Sequence, residues 1–163
     1  NVRIINAVSA KEMHETVMKN LPKTSIYIGA AAVADYRPKT VAENKIKKTN
    51  QDSLNLELEK TADILSDVAN NHHEGLLVVG FAAETNNVID YARGKLERKN
   101  LDMIVANDVT KKGAGFGSEE NQATIITREN GVELPLISKS ELADKILDEI
   151  IILRSKMLKP AGN

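Results

Sequence analysis

Three apolar stretches of this chain each run straight into small residues, acids and amides. Ile26-Tyr27-Ile28-Gly29 continues into Ala30-Ala31-Ala32-Val33-Ala34-Asp35-Tyr36-Arg37-Pro38. Leu76-Leu77-Val78-Val79-Gly80-Phe81 continues into Ala82-Ala83-Glu84-Thr85-Asn86-Asn87, and Met103-Ile104-Val105-Ala106 into Asn107-Asp108-Val109. In an open α/β sheet, strand C-termini next to a helix N-terminus form the crevice where ligands sit. Small side chains there let a ligand approach the backbone, and acids and amides can bond hydroxyls and amines. Lys95 and Lys99, four apart on one helix face, and the basic run Lys45-Ile46-Lys47-Lys48 supply cationic groups for an anion.

Each of these residues also has a plain structural reading. Asp35 could contact a ribose hydroxyl or a base amine, or cap the turn at Tyr36 and Arg37. Glu84, Asn86, Asn87 and Asn107 could be helix caps and turn formers. The 45–48 run could be a charged edge that discourages aggregation, or Lys45 could reach over the crevice from the loop after Pro38. Tyr91-Ala92-Arg93-Gly94-Lys95 has the Tyr-x-x-x-Lys spacing of short-chain dehydrogenases, but no Gly-x-Gly-x-x-Gly accompanies it. Tyr91 as a packing residue is the simpler reading.

The elements that must position these groups follow from pattern. Ser9-Ala10-Lys11-Glu12 has capping-box spacing, with Met13, Val17 and Met18 at helical intervals up to Asn20-Leu21-Pro22. Residues 1–6 read as the end of a strand. A helix opens at Ala62-Asp63-Ile64-Leu65 and runs to about Asn71. Another begins at Asn87, with Val88, Tyr91, Ala92 and Leu96 inward. A third begins at Ser138-Lys139-Ser140-Glu141 and carries Leu142, Ile146, Ile150 and Leu153. Residues 45–49 and 54–59 alternate with period two and predict a β-hairpin. Residues 123–127 and 132–137, turning at Glu129-Asn130-Gly131, predict a second. Residues 111–118 form a glycine-rich loop.

This order predicts an α/β fold: a single domain over residues 1–163, built as a three-layer Rossmann-like parallel sheet with two β-hairpins added outside it. The hairpins near residues 45–59 and 122–137 leave edges that a second copy could cover, so a homodimerisation subdomain is expected. The net charge of −1 and 3% aromatic content argue against nucleic-acid binding. No apolar run approaches the ~20 residues that span a bilayer. With no signal peptide, a cytoplasmic location is expected. The chain has no cysteine, and His14, His72 and His73 make no metal-binding spacing.

Taken together, Gly29-Ala30-Ala31-Ala32-Val33-Ala34-Asp35-Tyr36-Arg37, Lys45-Ile46-Lys47-Lys48, Gly80-Phe81-Ala82-Ala83-Glu84-Thr85 and Lys99-Asn100-Leu101-Asp102 with Ala106-Asn107-Asp108 resemble bacterial phosphopantothenoylcysteine synthetases. These form the synthetase half of the bifunctional coenzyme A biosynthesis flavoprotein, and the resemblance runs from the first residue to the last helix. It implies a phosphopantothenate–cysteine ligase. The 4′-phosphopantothenate carboxylate attacks the α-phosphorus of CTP and pyrophosphate leaves. The amine of cysteine then displaces CMP from the acyl-cytidylate. Lysines and Mg²⁺ are expected to offset the gathered negative charge.

The resemblance also assigns roles. Ala31 and Ala32 would contact the cytosine through backbone, and Asp35 would contact the nucleotide. Lys45 would be the catalytic lysine on a loop closing over the phosphate. Ala62, Asp63, Ile64 and Leu65 would present a helix N-terminus, with Ala62 standing where the family usually has proline. Phe81 would pack against the nucleoside, and Lys95 and Lys99 would hold the triphosphate. The resemblance implies a natural fusion to a flavin-dependent decarboxylase, with no FMN in this part. It further implies a first β-α unit carrying a phosphate loop and a catalytic asparagine, which nothing in these residues matches. The second half-reaction is therefore expected to need that unit; the alternative is a non-catalytic nucleotide-binding and dimerisation module.

Overall fold

A computed structural model describes residues 2–47, 53–84, 87–108 and 117–158, apart from the side chains of Glu84 and Asp108. Helix α1 (Ala10–Asn20) starts where Ser9 predicts. The Ser9 hydroxyl accepts the Glu12 N–H at 3.2 Å, and the Glu12 carboxylate accepts the Val8 N–H at 3.0 Å. The box thus closes one residue further out than the usual form. These bonds hold the Glu12 carboxyl below its usual range, the Val8 bond contributing most. A 3-10 turn at Leu21–Lys23, with Pro22 inside it, ends the helix.

The main sheet contains β1 (Ile26–Gly29), β4 (Leu77–Glu84), β5 (Met103–Asp108), β7 (Ala123–Thr127) and β8 (Gly131–Glu133), side by side in that order. The first three are parallel, with Ile28 beside Val79 and Phe81 beside Val105. The connections between them carry α2 (Ile64–Asn70) and α3 (Val88–Arg98). Strand alternation divides the core in two. Val78, Ala82, Ile104 and Ala106 pack with Ile64 and Val68 of α2 and Ala92 and Leu96 of α3. Leu77, Val79, Met103 and Val105 pack with Leu142, Ile146 and Ile150 of α4 (Lys139–Met157). Strands covered on both faces are what a parallel sheet requires, and the result is the three-layer, Rossmann-like α/β arrangement.

Helix α4 starts at Ser138, whose hydroxyl accepts the Glu141 N–H at 3.1 Å, as the sequence predicts. Helix α3 is terminated just past Arg98, where Asn100 adopts a left-handed φ of 51° so that the Leu101 N–H can bond Leu96 O at 2.9 Å.

Four expectations about elements change. Residues 2–6 form no strand; Val2 and Ile4 are exposed, and among the described residues the outer edge of β1 is left without a neighbouring strand. The first hairpin falls partly on residues 48–52, outside the described residues. Within the described part, only β3 (Leu58–Lys60) is a strand, and it pairs with β2 (Tyr36–Pro38), not with residues 45–47. Cross-strand charge selects this register: Arg37 lies opposite Glu59 and donates to it at 2.8 Å. One step on, Lys39 bonds Glu57 through both backbone and side chain.

The second hairpin lies inside the main sheet, not outside it. β7 pairs with β5 along its whole length, and Ala123, Ile125, Ile126 and Thr127 are buried. A strand this apolar has to be covered. Its partner ends at Glu133, and Ile137 belongs to β9 (Ile137–Ser138), which pairs with β6 (Glu120–Asn121). Finally, Tyr91 is 56% exposed and does not pack inward as expected.

Gly80 marks a close approach between β4 and its cover. A Cβ at this position would lie 2.8 Å from Leu65 Cδ2 and 2.9 Å from Leu101 Cδ1. Both contacts are ends of leucine side chains, so some adjustment is available. Gly80→Ala is expected to destabilise the fold by about 1–2 kcal/mol, measurable as a lower urea midpoint at unchanged slope.

Candidate functional site

A cavity of about 170 Å³ opens beyond the C-terminal end of β1, beside Phe81 in the middle of β4. Its walls come from five places in the chain. Gly29 ends β1, and Ala31, Val33, Ala34 and Asp35 follow in the connection to β2. Thr61 to Leu65 bring in the approach to α2 and its first turn. Phe81 comes from β4, and Lys95 and Lys99 from the end of α3. Met13 and Tyr27 complete the lining.

The two connecting segments are tied to each other. The Thr61 N–H donates to Asp35 O at 2.9 Å, and the Thr61 hydroxyl donates to Ala34 O. Those bonds hold the Asp35 segment against the start of α2. Gly29 keeps the floor low: a Cβ there would meet Tyr27 Cε1 at 3.1 Å and Leu65 Cδ1 at 3.4 Å. Burial pushes the Tyr27 phenol above its usual pKa.

Charge is concentrated on one side. Lys95 donates to the Phe81 carbonyl at 3.0 Å, linking the last turn of α3 to the middle of β4. Lys99 donates to Asp63 Oδ2 at 2.5 Å, and Asp63 Oδ1 accepts the Ser66 N–H at 3.1 Å as the cap of α2. Burial alone would raise the Asp63 carboxyl, but the bonds from Lys99 and Ser66 and the lysine's charge outweigh it. The pKa is therefore below the ordinary 3.8. A depressed folded-state pKa favours the folded state above the ordinary value, and that contribution disappears as pH falls through the depressed one. The link between α2 and α3 is expected to persist at pH 5 and to be lost only as pH falls below the ordinary carboxyl value and through the depressed one. The Asp63 carboxyl ¹³C shift, followed by NMR from pH 6 downward, would read this as a midpoint below 3.8.

Of the residues singled out from sequence, Ala31, Asp35, Ala62, Asp63, Ile64, Leu65, Phe81, Lys95 and Lys99 meet around this one cavity. Ala32 and Lys45 do not line it; both are exposed. The Val33 N–H bonds Ala31 O at 3.2 Å, which places Ala32 at the outer point of a tight turn. Phe81 borders the cavity but also packs with the cluster under α4, and it is its carbonyl that receives Lys95. Tyr91 does not join Lys95 at the cavity, so the geometry gives the dehydrogenase spacing no support.

Asn107 bonds Asn121 beside the strand ends: Asn121 Nδ2 donates to Asn107 Oδ1 at 3.2 Å. Thr85, Asn86, Lys48, Val109 and most of the glycine-rich loop (residues 111–116) lie outside the described residues, as does the Glu84 side chain. Sequence reasoning did not assign Met13, Tyr27, Gly29, Val33, Ala34 and Thr61 as wall residues. Of these, Gly29 carried a signal, as the glycine that ends a strand where a ligand could approach.

Among the described residues no group of three or more histidines, cysteines or acids could hold a metal ion. Asp35 and Asp63 are the carboxylates of the lining. Such a donor set does not fit an all-protein metal cage, but it suits an ion that arrives on a ligand's phosphates and keeps most of its own water. Among the described residues no helix is long and apolar enough to cross a membrane.

The chain matches the DNA/pantothenate metabolism flavoprotein C-terminal domain over residues 1–153. It is 50% identical over 147 residues to the coenzyme A biosynthesis bifunctional protein CoaBC of Vibrio cholerae serotype O1, covering 90% of this chain and 37% of that protein. The protein of the same name from Haemophilus influenzae is 48% identical over 158 residues, 97% of this chain and 39% of its own length. The chain thus spans under two fifths of these relatives. The crystal structure of the C-terminal domain of a CoaBC bifunctional protein superposes with a TM-score of 0.75 at 37% identity, covering 93% of this chain and 66% of that one. Sequence and fold together show that this chain belongs to the family of the DNA/pantothenate metabolism flavoprotein C-terminal domain.

Proposed function

We propose that the cavity binds CTP and that the chain forms the nucleotide-binding part of a phosphopantothenate–cysteine ligase of coenzyme A biosynthesis. The observation that carries this reading is the meeting of Lys95 and Lys99 with Ala31 and Asp35 around one cavity at the end of β1. The small residues leave room for a flat base against backbone. Asp35 can accept from a ribose hydroxyl or base amine, and the lysines can take phosphate oxygens. The match to relatives named for coenzyme A biosynthesis supports a substrate from that pathway.

The chemistry then proceeds in two steps. A carboxylate oxygen of 4′-phosphopantothenate attacks the α-phosphorus, and the bond to the bridging oxygen breaks to release pyrophosphate. The amine of cysteine next attacks the acyl carbon and loses a proton, and CMP departs. Lys95 and Lys99 orient the triphosphate and draw charge toward the leaving pyrophosphate. Mg²⁺ bound to the phosphates supplies further charge neutralisation when present. The bifunctional names of the relatives support a natural fusion to a flavin-dependent decarboxylase. The exposed β2–β3 ribbon, with Tyr36 and Leu58 open, supports homodimer formation, and a cytoplasmic location suits a pathway of small soluble substrates.

Calorimetric titration of the chain with CTP tests the binding reading. Pyrophosphate release from CTP and phosphopantothenate tests the ligase reading, in the chain and in the full-length protein. Binding without release by the chain, with release by the full-length protein, is the expected pattern. Binding without release by either would favour a non-catalytic nucleotide-binding module, and absence of CTP binding would overturn the proposal.

A further inference from the structure

Asp63 uses its two carboxylate oxygens differently. Oδ1 accepts the Ser66 N–H at 3.1 Å and caps α2, while Oδ2 holds Lys99 at 2.5 Å. The lysine side chain is 24% exposed and the aspartate 50%, so the pair stands at the boundary of protein and solvent, at the cavity mouth. Attraction there is weakened by water but not abolished. To an ammonium group, an aspartate oxygen and a phosphate oxygen are acceptors of the same kind. Any phosphate entering the cavity therefore meets a Lys99 whose charge is already compensated.

We infer that Asp63 is an internal competitor for Lys99, an affinity-setting residue that lowers the cavity's hold on polyphosphate anions. This inference rests on reading the cavity as a polyphosphate site. An incoming polyphosphate has to share Lys99 or take it from Asp63, and the carboxylate recovers the lysine when the anion departs. The lining pairs Asp35 and Asp63 with Lys95 and Lys99, so its formal charges cancel when empty. Such a balance favours release of a product anion as well as entry of a substrate, because neither state leaves Lys99 without an acceptor.

The test uses Asp63→Asn, which removes the charge and keeps a side chain that caps a helix as well as aspartate does. Asp63→Ser, another good cap without charge, serves as the second variant. Each is titrated with CTP and with inorganic tripolyphosphate at fixed ionic strength, alone and in a Lys99→Gln background. Both variants are expected to bind the two probes roughly three- to tenfold more tightly than the parent, with no gain when Lys99 is glutamine. Unchanged or weaker binding in folded variants would overturn the inference. So would a gain that survives in the Lys99→Gln background, since that would reflect net charge alone. If the folded parent binds neither probe, the reading of the cavity fails and the inference fails with it. Parent binding with no gain in the variants removes the inference alone.

Discussion

Glutamine at both Lys95 and Lys99 is expected to weaken CTP binding by about a hundredfold while leaving the fold intact. A hydrogen bond to a charged group contributes ~1.5–3 kcal/mol. Both lysines already have acceptors, the Phe81 carbonyl and Asp63, so each gains only the difference when a phosphate arrives. Partial exposure reduces that difference further. About 1.4 kcal/mol for each lysine, a factor of ten, is a reasonable remainder. The fold should tolerate the change because glutamine keeps an N–H that can reach Phe81, and the buried residues of α3 are Ala92 and Leu96. Calorimetry at fixed ionic strength, with a thermal melt as control, gives the measurement. A loss below threefold in a normally folded variant would mean that the phosphates lie elsewhere.

That two lysines four apart would share a face was legible from spacing, because helix geometry is local. That they would face the end of β1 and the Phe81 position of β4 was legible only once the strand–helix order implied a parallel sheet. The core followed the same logic. Leu142, Ile146 and Ile150 recur at helical intervals and bury one stripe of α4, and the runs at 76–79 and 103–106 are apolar throughout because both faces are covered. Strand pairing was less legible, since period-two alternation says which face is wet and not which partner is taken. The Arg37–Glu59 and Lys39–Glu57 pairs select a partner 22 and 18 residues away, and no local pattern around residues 45–59 announces that choice. Thr61 was missed for the same reason. Its hydroxyl and N–H tie two connections that meet only after the sheet has formed. Phe81 lines the cavity, but the engagement of its backbone carbonyl by Lys95 is something no side-chain type announces.

Lys45 is where sequence and geometry stand furthest apart, and it carries the second large expected effect. It is exposed and lies outside the cavity lining. The β2–β3 ribbon nonetheless starts at the cavity rim, since Asp35 lines the cavity and Tyr36 begins β2. The ribbon's ladder continues one step to Lys39 and Glu57, whose backbone and side chains both pair. Lys45 follows Lys39 by six residues, a reach of up to ~20 Å when extended. An ammonium on such a tether can meet the α-phosphate as charge develops without contributing to the hold on the bound nucleotide. Lys45→Gln in the full-length enzyme is therefore expected to lower pyrophosphate release by about a hundredfold, as the loss of one well-placed donor to a developing charge does. CTP affinity should change by less than about twofold, because an interaction made only in the transition state leaves ground-state binding alone. Rapid-quench turnover and equilibrium CTP binding, measured on the same preparation, separate the two. Equal losses in both would make Lys45 an ordinary binding group, and unchanged turnover would remove it from the mechanism.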